Sequence, residues 1–388
     1  MRYILRDFSE QLKNQSFLFT NCDVAKGNFL PHILEEEAST VFNTCDNPAR
    51  KNIITCKDIH LSKFLAEVGG LSFDLKLSST FEDLPFYIPV FGRELTGLSD
   101  LSNEFPVIAT SLVNILDGIT LKAGAFHEKS KITFRRSISR QSFGNKKVIL
   151  FNTGPDTLIE SVWHKRDKFK LFDEISKLGF YAIGGLNFSL INGECSLSHV
   201  LNQKRSLYSC YLFEQRGSLV IPHTYSLTIS HVKRWVNWLR ANPNINYVTI
   251  NCQLQTSHSD MTQLIQTTKY LLYYTPHVHI ILQGFQFSYI KHFGHLVDRL
   301  HFADMSPFKK AQSHQRLKFN LKDNKLEIIH DAKESLTNLI NINFSERYLY
   351  LKQLRNLSKT DPEFDLTQKP IKVYNFKTKR GVLYKREA

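Results

Sequence analysis

Leu219-Val220-Ile221-Pro222-His223, Tyr247-Val248-Thr249-Ile250-Asn251-Cys252 and Val278-His279-Ile280-Ile281-Leu282 are short apolar runs spread over residues 219–282. Each run has the length and β-branched content of a buried strand. The segments between them read as helices. From Ser230, an expected N-cap, Val232, Trp235, Val236 and Leu239 fall on one helical face, and Pro243 ends the segment. Met261–Tyr274 is a second helical segment, with Pro276 just beyond its end. Strand, helix, strand, helix, strand is the signature of parallel strands joined by right-handed crossovers.

The rhythm extends in both directions. Towards the N-terminus, Ser198–Gln215 places Val200, Leu201, Tyr208, Tyr211 and Leu212 at helical spacing and stops at Gly217. Before it come a strand at Phe180–Asn187, a helix around Phe172–Leu178 closed by Gly179, and a strand at Val148–Asn152. Towards the C-terminus, Leu300–Ala303 supplies another strand, giving six. Phe86–Phe91 and Val107–Leu112 would bring the total to eight, with Ile119–Phe126 in reserve. Eight parallel strands close a barrel, so the expected fold is α/β with a TIM-barrel-like (β/α) core. An open doubly wound sheet is the alternative. Gly92–Glu104 is short for a crossover helix, which predicts an irregular first half. The expected organisation is an N-terminal extension or small subdomain over 1–83, the barrel core over 84–306, and a basic C-terminal extension over 307–388 with a helix around Glu346–Leu357.

Of the 388 residues, 42% are hydrophobic and 22% charged, which suits a globular chain with a sizeable core. The formal net charge of +14 favours an acidic partner, nucleic acid first among them. Met1–Asp7 reaches an acidic residue before any apolar run, so no signal peptide is expected, and no stretch approaches the roughly 18 apolar residues of a membrane span. A cytoplasmic protein with reduced cysteines and no membrane association follows as the expectation.

Parallel β/α folds bind ligands at the carboxyl ends of their strands. The residues there are Asn152, Asn187, Ser189, His223, Tyr225, Asn251, Gln253, Gln283 and Asp304. The set is rich in amides, which pair with neutral polar ligands such as base edges, and poor in carboxylates. His223 and Asp304 are the candidate catalytic pair, as base or nucleophile. Asp304 also suits an N-cap before Met305, and His223 a polar plug over the core. Cys22, Cys45, Cys56 and His60 offer zinc-ligand chemistry but match no compact zinc spacing, so no metal and no cofactor are expected. No phosphate-binding glycine loop and no nucleophile elbow occur.

Two segments carry cations with aromatics between them. The first holds Lys131, Arg135, Arg136, Arg140, Lys146 and Lys147 around Phe134 and Phe143; the second holds Lys377, Lys379 and Arg380 near Tyr374, Phe376 and Tyr384. Cations neutralise phosphates and aromatics stack on unpaired bases, so both are candidate nucleic-acid contacts.

Within Phe172–Gly284, the elements Leu186-Asn187-Phe188-Ser189, Asn202-x-x-Arg205, Gly217-x-x-Val220-Ile221-Pro222-His223, the helix with Trp235, Asn242-Pro243 and the strand into Asn251 follow in order. This third of the chain resembles a bacterial and phage domain-of-unknown-function family of barrel-like β/α proteins. The resemblance implies a barrel, a mobile-element context, and Asn187, Ser189, Arg205 and His223 as site residues. The family pattern carries an aspartate where this chain has Asn187. Arg205 is then either a ligand for phosphate or carboxylate, or a structural ion-pair partner. The leading functional reading is a nucleic-acid-associated protein with a nucleotide- or base-directed pocket, as hydrolase or transferase if an enzyme. A non-catalytic interaction protein with a protein partner and a metal-independent small-molecule enzyme are the alternatives.

Overall fold

The computed structural model describes residues 67–70, 72–92, 104–117, 133–134, 145–190, 196–255 and 257–360. Its centre is an eight-stranded sheet. The strands are β1 (Tyr87–Phe91), β2 (Val107–Ser111), β3 (Lys147–Phe151) and β4 (Ala182–Gly184), then β5 (Val220–Ile221), β6 (Tyr247–Asn251), β7 (His279–Gln283) and β8 (Leu300–Asp304). All pair in parallel with their sequence neighbours, and β8 pairs with β1. The last seam, β5 to β6, is joined by Thr249 N–H to the Pro222 carbonyl (2.8 Å) and Thr224 N–H to the Thr249 carbonyl (3.0 Å). Pro222 has no N–H to give, so it contributes its carbonyl alone.

The register also identifies a barrel. Starting at Asn251, the pairings run through Gln283, Ala303 and Ile88 to Val107 and Lys147, and then, extended along β4 and β5, return to β6 at Pro243. That is eight residues below the start. Eight strands with a shear of eight are the TIM-barrel geometry, and the open doubly wound alternative does not apply.

Crossovers lie outside the barrel. α1 (Asp156–Lys165) and α2 (Leu171–Lys177) precede β4, α3 (Ser196–Glu214) precedes β5, α4 (Ile229–Arg240) precedes β6, and α5 (His258–Tyr274) precedes β7. A 3-10 segment, Phe287–Arg299, precedes β8. α2 and α3 stop at Gly179 and Gly217, whose φ values of 74° and 76° are open to glycine at little cost. α4 is capped by Thr228, whose side chain accepts from His231 N–H, two residues before the expected Ser230. The β1–β2 connection, where an irregular crossover was expected, lies largely outside the described residues, as does Ile119–Phe126.

Strand alternation sorts the core. Ile88, Ala109, Ile149, Ala182, Ile221, Ile281 and Ala303 fill the lumen, while Leu150, Ile183, Val248, Ile280 and Phe302 face the helices. The chain before the barrel packs on it. Phe81 and Leu84 enter the lumen cluster from the N-terminal end, and Leu84 N–H donates to Tyr247 Oη at 3.0 Å. Beside them His279 Nδ1 meets His301 Nε2 at 3.0 Å, and His301 Nδ1 reaches the Pro85 carbonyl at 3.0 Å. These residues form the barrel floor.

After the barrel come α6 (Ser306–Gln312), the hairpin of β9 (Arg316–Asn320) and β10 (Lys325–Ile329), and α7 (Leu336–Thr360). α7 runs well beyond the expected Glu346–Leu357 at both ends. Its Phe344 and Tyr348 stack on Tyr87 and Phe105, with ring centroids 6.2 to 6.4 Å apart. The described parts of both flanking extensions therefore pack against the barrel.

Candidate functional site

With the floor filled by Phe81, Leu84, Tyr247 and the two histidines, the other end of the lumen is at the carboxyl ends of the strands. His223 follows β5 there, pairs in register with Thr249 and points inward by the alternation that puts Ile221 in the lumen. Opposite it is Gly184. A Cβ built on Gly184 would meet His223 Nε2 at 3.4 Å, so the missing side chain leaves the space that the imidazole faces. Asn152, wholly buried after β3, donates from Nδ2 to the Gly184 carbonyl at 2.7 Å. Gln283 at the end of β7 donates to Thr249 Oγ1 at 2.7 Å, and Thr249 donates on to the Ile281 carbonyl at 3.0 Å.

Two of these side chains carry unanswered polar atoms. Both ring nitrogens of His223 and Oδ1 of Asn152 are buried without a hydrogen-bond partner. Orphan atoms of this kind are rare in folded proteins and call for a ligand or an ordered water. Burial pushes the His223 pKa down to about 3, so the ring is neutral at physiological pH and offers one donor and one acceptor.

The other expected residues divide. Tyr225 accepts from Gln255 Nε2 at 2.8 Å, and burial pushes its phenol up to about 12. Asn251 Oδ1 accepts from Gln253 N–H at 3.1 Å, a local turn bond; Gln253 is exposed and lies over Gly284. Asn187 joins Asn152 through its backbone N–H at 3.0 Å. Ser189 donates to Asp156 Oδ1 at the start of α1. Arg205 is fully buried, forms a two-pronged pair with Glu160 of α1, and stacks on Phe188 at 3.8 Å. Of its two expected roles, the geometry shows the structural ion pair between α1 and α3.

Asp304 is turned the other way. Ala303 belongs to the lumen, so Asp304 faces outward, where its Oδ2 lies 3.2 Å from Arg347 Nε on α7. Its Oδ1 accepts from Ser306 N–H at 2.8 Å, a local turn bond into the first residue of α6, whose N-cap is Met305 and not the expected Asp304. His223 and Asp304 thus lie on opposite faces of the barrel wall. Lys147, at the start of β3, is at the floor end and pairs with Glu82 at 2.9 Å; Lys146 precedes it. Lys131, Arg135, Arg136, Arg140, Lys377, Lys379 and Arg380, and Cys22, Cys45, Cys56 and His60, lie outside the described residues.

Sequence reasoning missed Thr249 and Gly184. Thr249 sits mid-strand, where the strand-end rule does not look, and Gly184 carries no functional group. Two crevices meet at Ser226 and Leu264, each a cavity of about 10 Å³, room for about one water molecule and far short of a ligand pocket. Among the described residues no His, Cys, Asp and Glu side chains gather as a metal site, and no helix is long and apolar enough to cross a membrane. The mouth can therefore pair with donors and acceptors of a neutral ligand, without a carboxylate among the side chains that line it as described. A scan of family models finds no match to the chain, and a search of curated proteins finds none either.

Proposed function

We propose that this chain is a nucleic-acid-associated barrel protein whose mouth receives the polar edge of a nucleobase. The observation that carries the reading is the buried, partnerless ring of His223 at the carboxyl end of β5. One donor and one acceptor in a buried, uncharged setting complement a heterocycle edge that itself mixes donors and acceptors. The net charge of +14 supports a polyanionic partner around that base. The mobile-element or phage setting is part of the same proposal and rests on the resemblance over Phe172–Gly284.

Binding is favoured over hydrolysis by one feature. Asp304, the strand-end carboxylate, is committed to Arg347 and Ser306 outside the lumen. The test is fluorescence anisotropy of labelled single-stranded DNA, duplex DNA and RNA across a salt series, with wild type and His223→Phe. Binding should weaken linearly in log salt, with a slope of about −0.7 to −0.9 per phosphate contacted. His223→Phe should weaken binding of the unpaired strands while leaving that slope unchanged. No binding at low salt would overturn the reading.

A further inference from the structure

α3 and α4 bury three cationic side chains: Lys204, Arg205 and Arg234, exposed by 1%, 0% and 3%. Two of them have carboxylates. Lys204 Nζ is 3.7 Å from Asp74, and Arg205 is paired with Glu160. Arg234 has none among the described residues. Its Nη1 donates to the neutral amide oxygen of Gln203, its guanidinium lies 5.3 Å from the Phe73 ring, and its Nε is buried without a partner. Burial lowers its pKa to about 9, which still leaves it charged at neutral pH. A buried, charged guanidinium with no counter-ion is costly unless an anion completes it.

The surroundings are rich in donors. Gln203 Nε2 donates to the Tyr225 carbonyl at 3.3 Å, which fixes the amide with Oε1 towards Arg234. Leu227 N–H donates to His231 Nδ1 at 3.3 Å, so the ring proton of neutral His231 sits on Nε2. Burial, Arg234 and His199 hold that ring neutral. The rings of His199 and His231 lie 5.2 Å apart, which brings the first turns of α3 and α4 side by side. Each first turn carries the positive end of a helix dipole; in α4 the Thr228 side chain already answers His231 N–H, which leaves the N–H groups of Ile229 and Ser230 without a partner inside the helix. Helical side chains lean towards the N-terminus, which carries the Arg234 guanidinium up to the level of His231.

We propose that Arg234, His231 and the first turn of α4 bind a phosphate group, in a site outside the barrel wall and separate from the His223 mouth. Two helix starts, one guanidinium without a carboxylate among the described residues and an imidazole N–H match the oxygens of a tetrahedral oxyanion. The source is either free phosphate or the phosphate of a nucleotide. The proposal stands on Arg234 and does not depend on base recognition at the mouth.

The test is calorimetric titration and thermal unfolding of the full chain with inorganic phosphate, at ionic strength matched with chloride. Wild type should bind phosphate and gain thermal stability from it. Arg234→Met, which keeps the stem and removes the charge, should lose at least ten-fold in phosphate affinity while unfolding no earlier than wild type without phosphate. Arg234→Lys should retain part of the affinity, and His223→Phe all of it. The same titration with a nucleoside and its 5′-monophosphate separates the sources. Tighter binding of the monophosphate than of phosphate, lost in Arg234→Met, assigns a nucleotide; equal binding assigns free phosphate. Absence of any phosphate effect in wild type overturns the site even if Arg234→Met fails to fold. So does phosphate binding that survives Arg234→Met.

Discussion

Asp304 Oδ2 and Arg347 Nε lie 3.2 Å apart, across the seam between the last barrel strand and the C-terminal helix. Both are largely buried, and the pair ties α7 to the barrel where Phe344 and Tyr348 cover Tyr87. Removing one partner strands the other. Arg347→Met should therefore cost about 3–5 kcal/mol in urea unfolding, and adding Asp304→Asn should recover part of that loss. Asn at 304 can still accept from Ser306 N–H. Asp304→Asn alone should leave ligand binding at the mouth unchanged, and a loss of binding with no loss of stability would restore Asp304 to the site.

The buried histidines set an acid limit. His223 has a folded pKa of about 3 and His301 of about 4, both lowered first by burial. The unfolded chain, with histidine near 6.5, binds more protons than the folded chain between those values. Each histidine thus contributes stability that is complete above about pH 6.5 and is lost as pH falls towards its folded pKa. From pH 7.5 to 5.0 each should cost about 2 kcal/mol. His223→Gln should flatten the pH dependence of urea unfolding by that amount, and so should His301→Asn. A slope unchanged in both variants would mean that the rings are protonated in the folded state.

Gly184 and Gly185 are adjacent but should respond differently to alanine. At Gly184 the new methyl meets His223 Nε2 and the Leu150 carbonyl at 3.4 Å, a tight contact that the ring can relieve by shifting. At Gly185 it would lie 2.7 Å from Cys210 Sγ and 2.8 Å from the Ser206 carbonyl, and the latter belongs to the backbone of α3. Gly185→Ala should therefore destabilise by about 1–3 kcal/mol or more, and Gly184→Ala by less. Ligand affinity should show the opposite order, because Gly184→Ala fills the space beside His223. Thermal unfolding and anisotropy on the same two proteins decide it.

The barrel was legible because its strands are short β-rich apolar runs set apart by helical segments: Tyr247–Asn251 and His279–Gln283 stand out by length and composition, with the helix His258–Tyr274 between them. The mouth was half legible. The strand-end rule found His223, Asn152 and Gln283, whose positions follow from where the apolar runs stop. It also found Asp304, one residue past Ala303, and could not see that the alternation turns this side chain outward to Arg347. Arg234 was invisible for a related reason. The face of α4 read as core was Val232, Trp235, Val236 and Leu239, and α4 also buries His231, Arg234 and Trp238. A polar residue on a second buried face looks, in sequence, like one on a solvated face. The partners that bury it, Gln203 and Phe73, come from distant parts of the chain.

Asn246 clasps the floor of the barrel from both sides. Its Nδ2 donates to the Phe81 carbonyl at 2.7 Å, and its Oδ1 accepts from Phe81 N–H at 3.0 Å. The clasp holds the Phe81 ring against Tyr181 and Tyr247, at 6.0 and 5.9 Å between centroids, and so keeps the lumen shut at that end. Asn246→Ala leaves two backbone groups of Phe81 without their partner, which should cost about 1–3 kcal/mol. Amide exchange at Phe81 and Leu84 should accelerate more than exchange in β7 or β8, because the floor would open before the barrel unfolds. The mouth lies at the far end of the lumen, so its ligand affinity should hold. Uniform acceleration across all strands would instead mean that floor and barrel open as one cooperative unit.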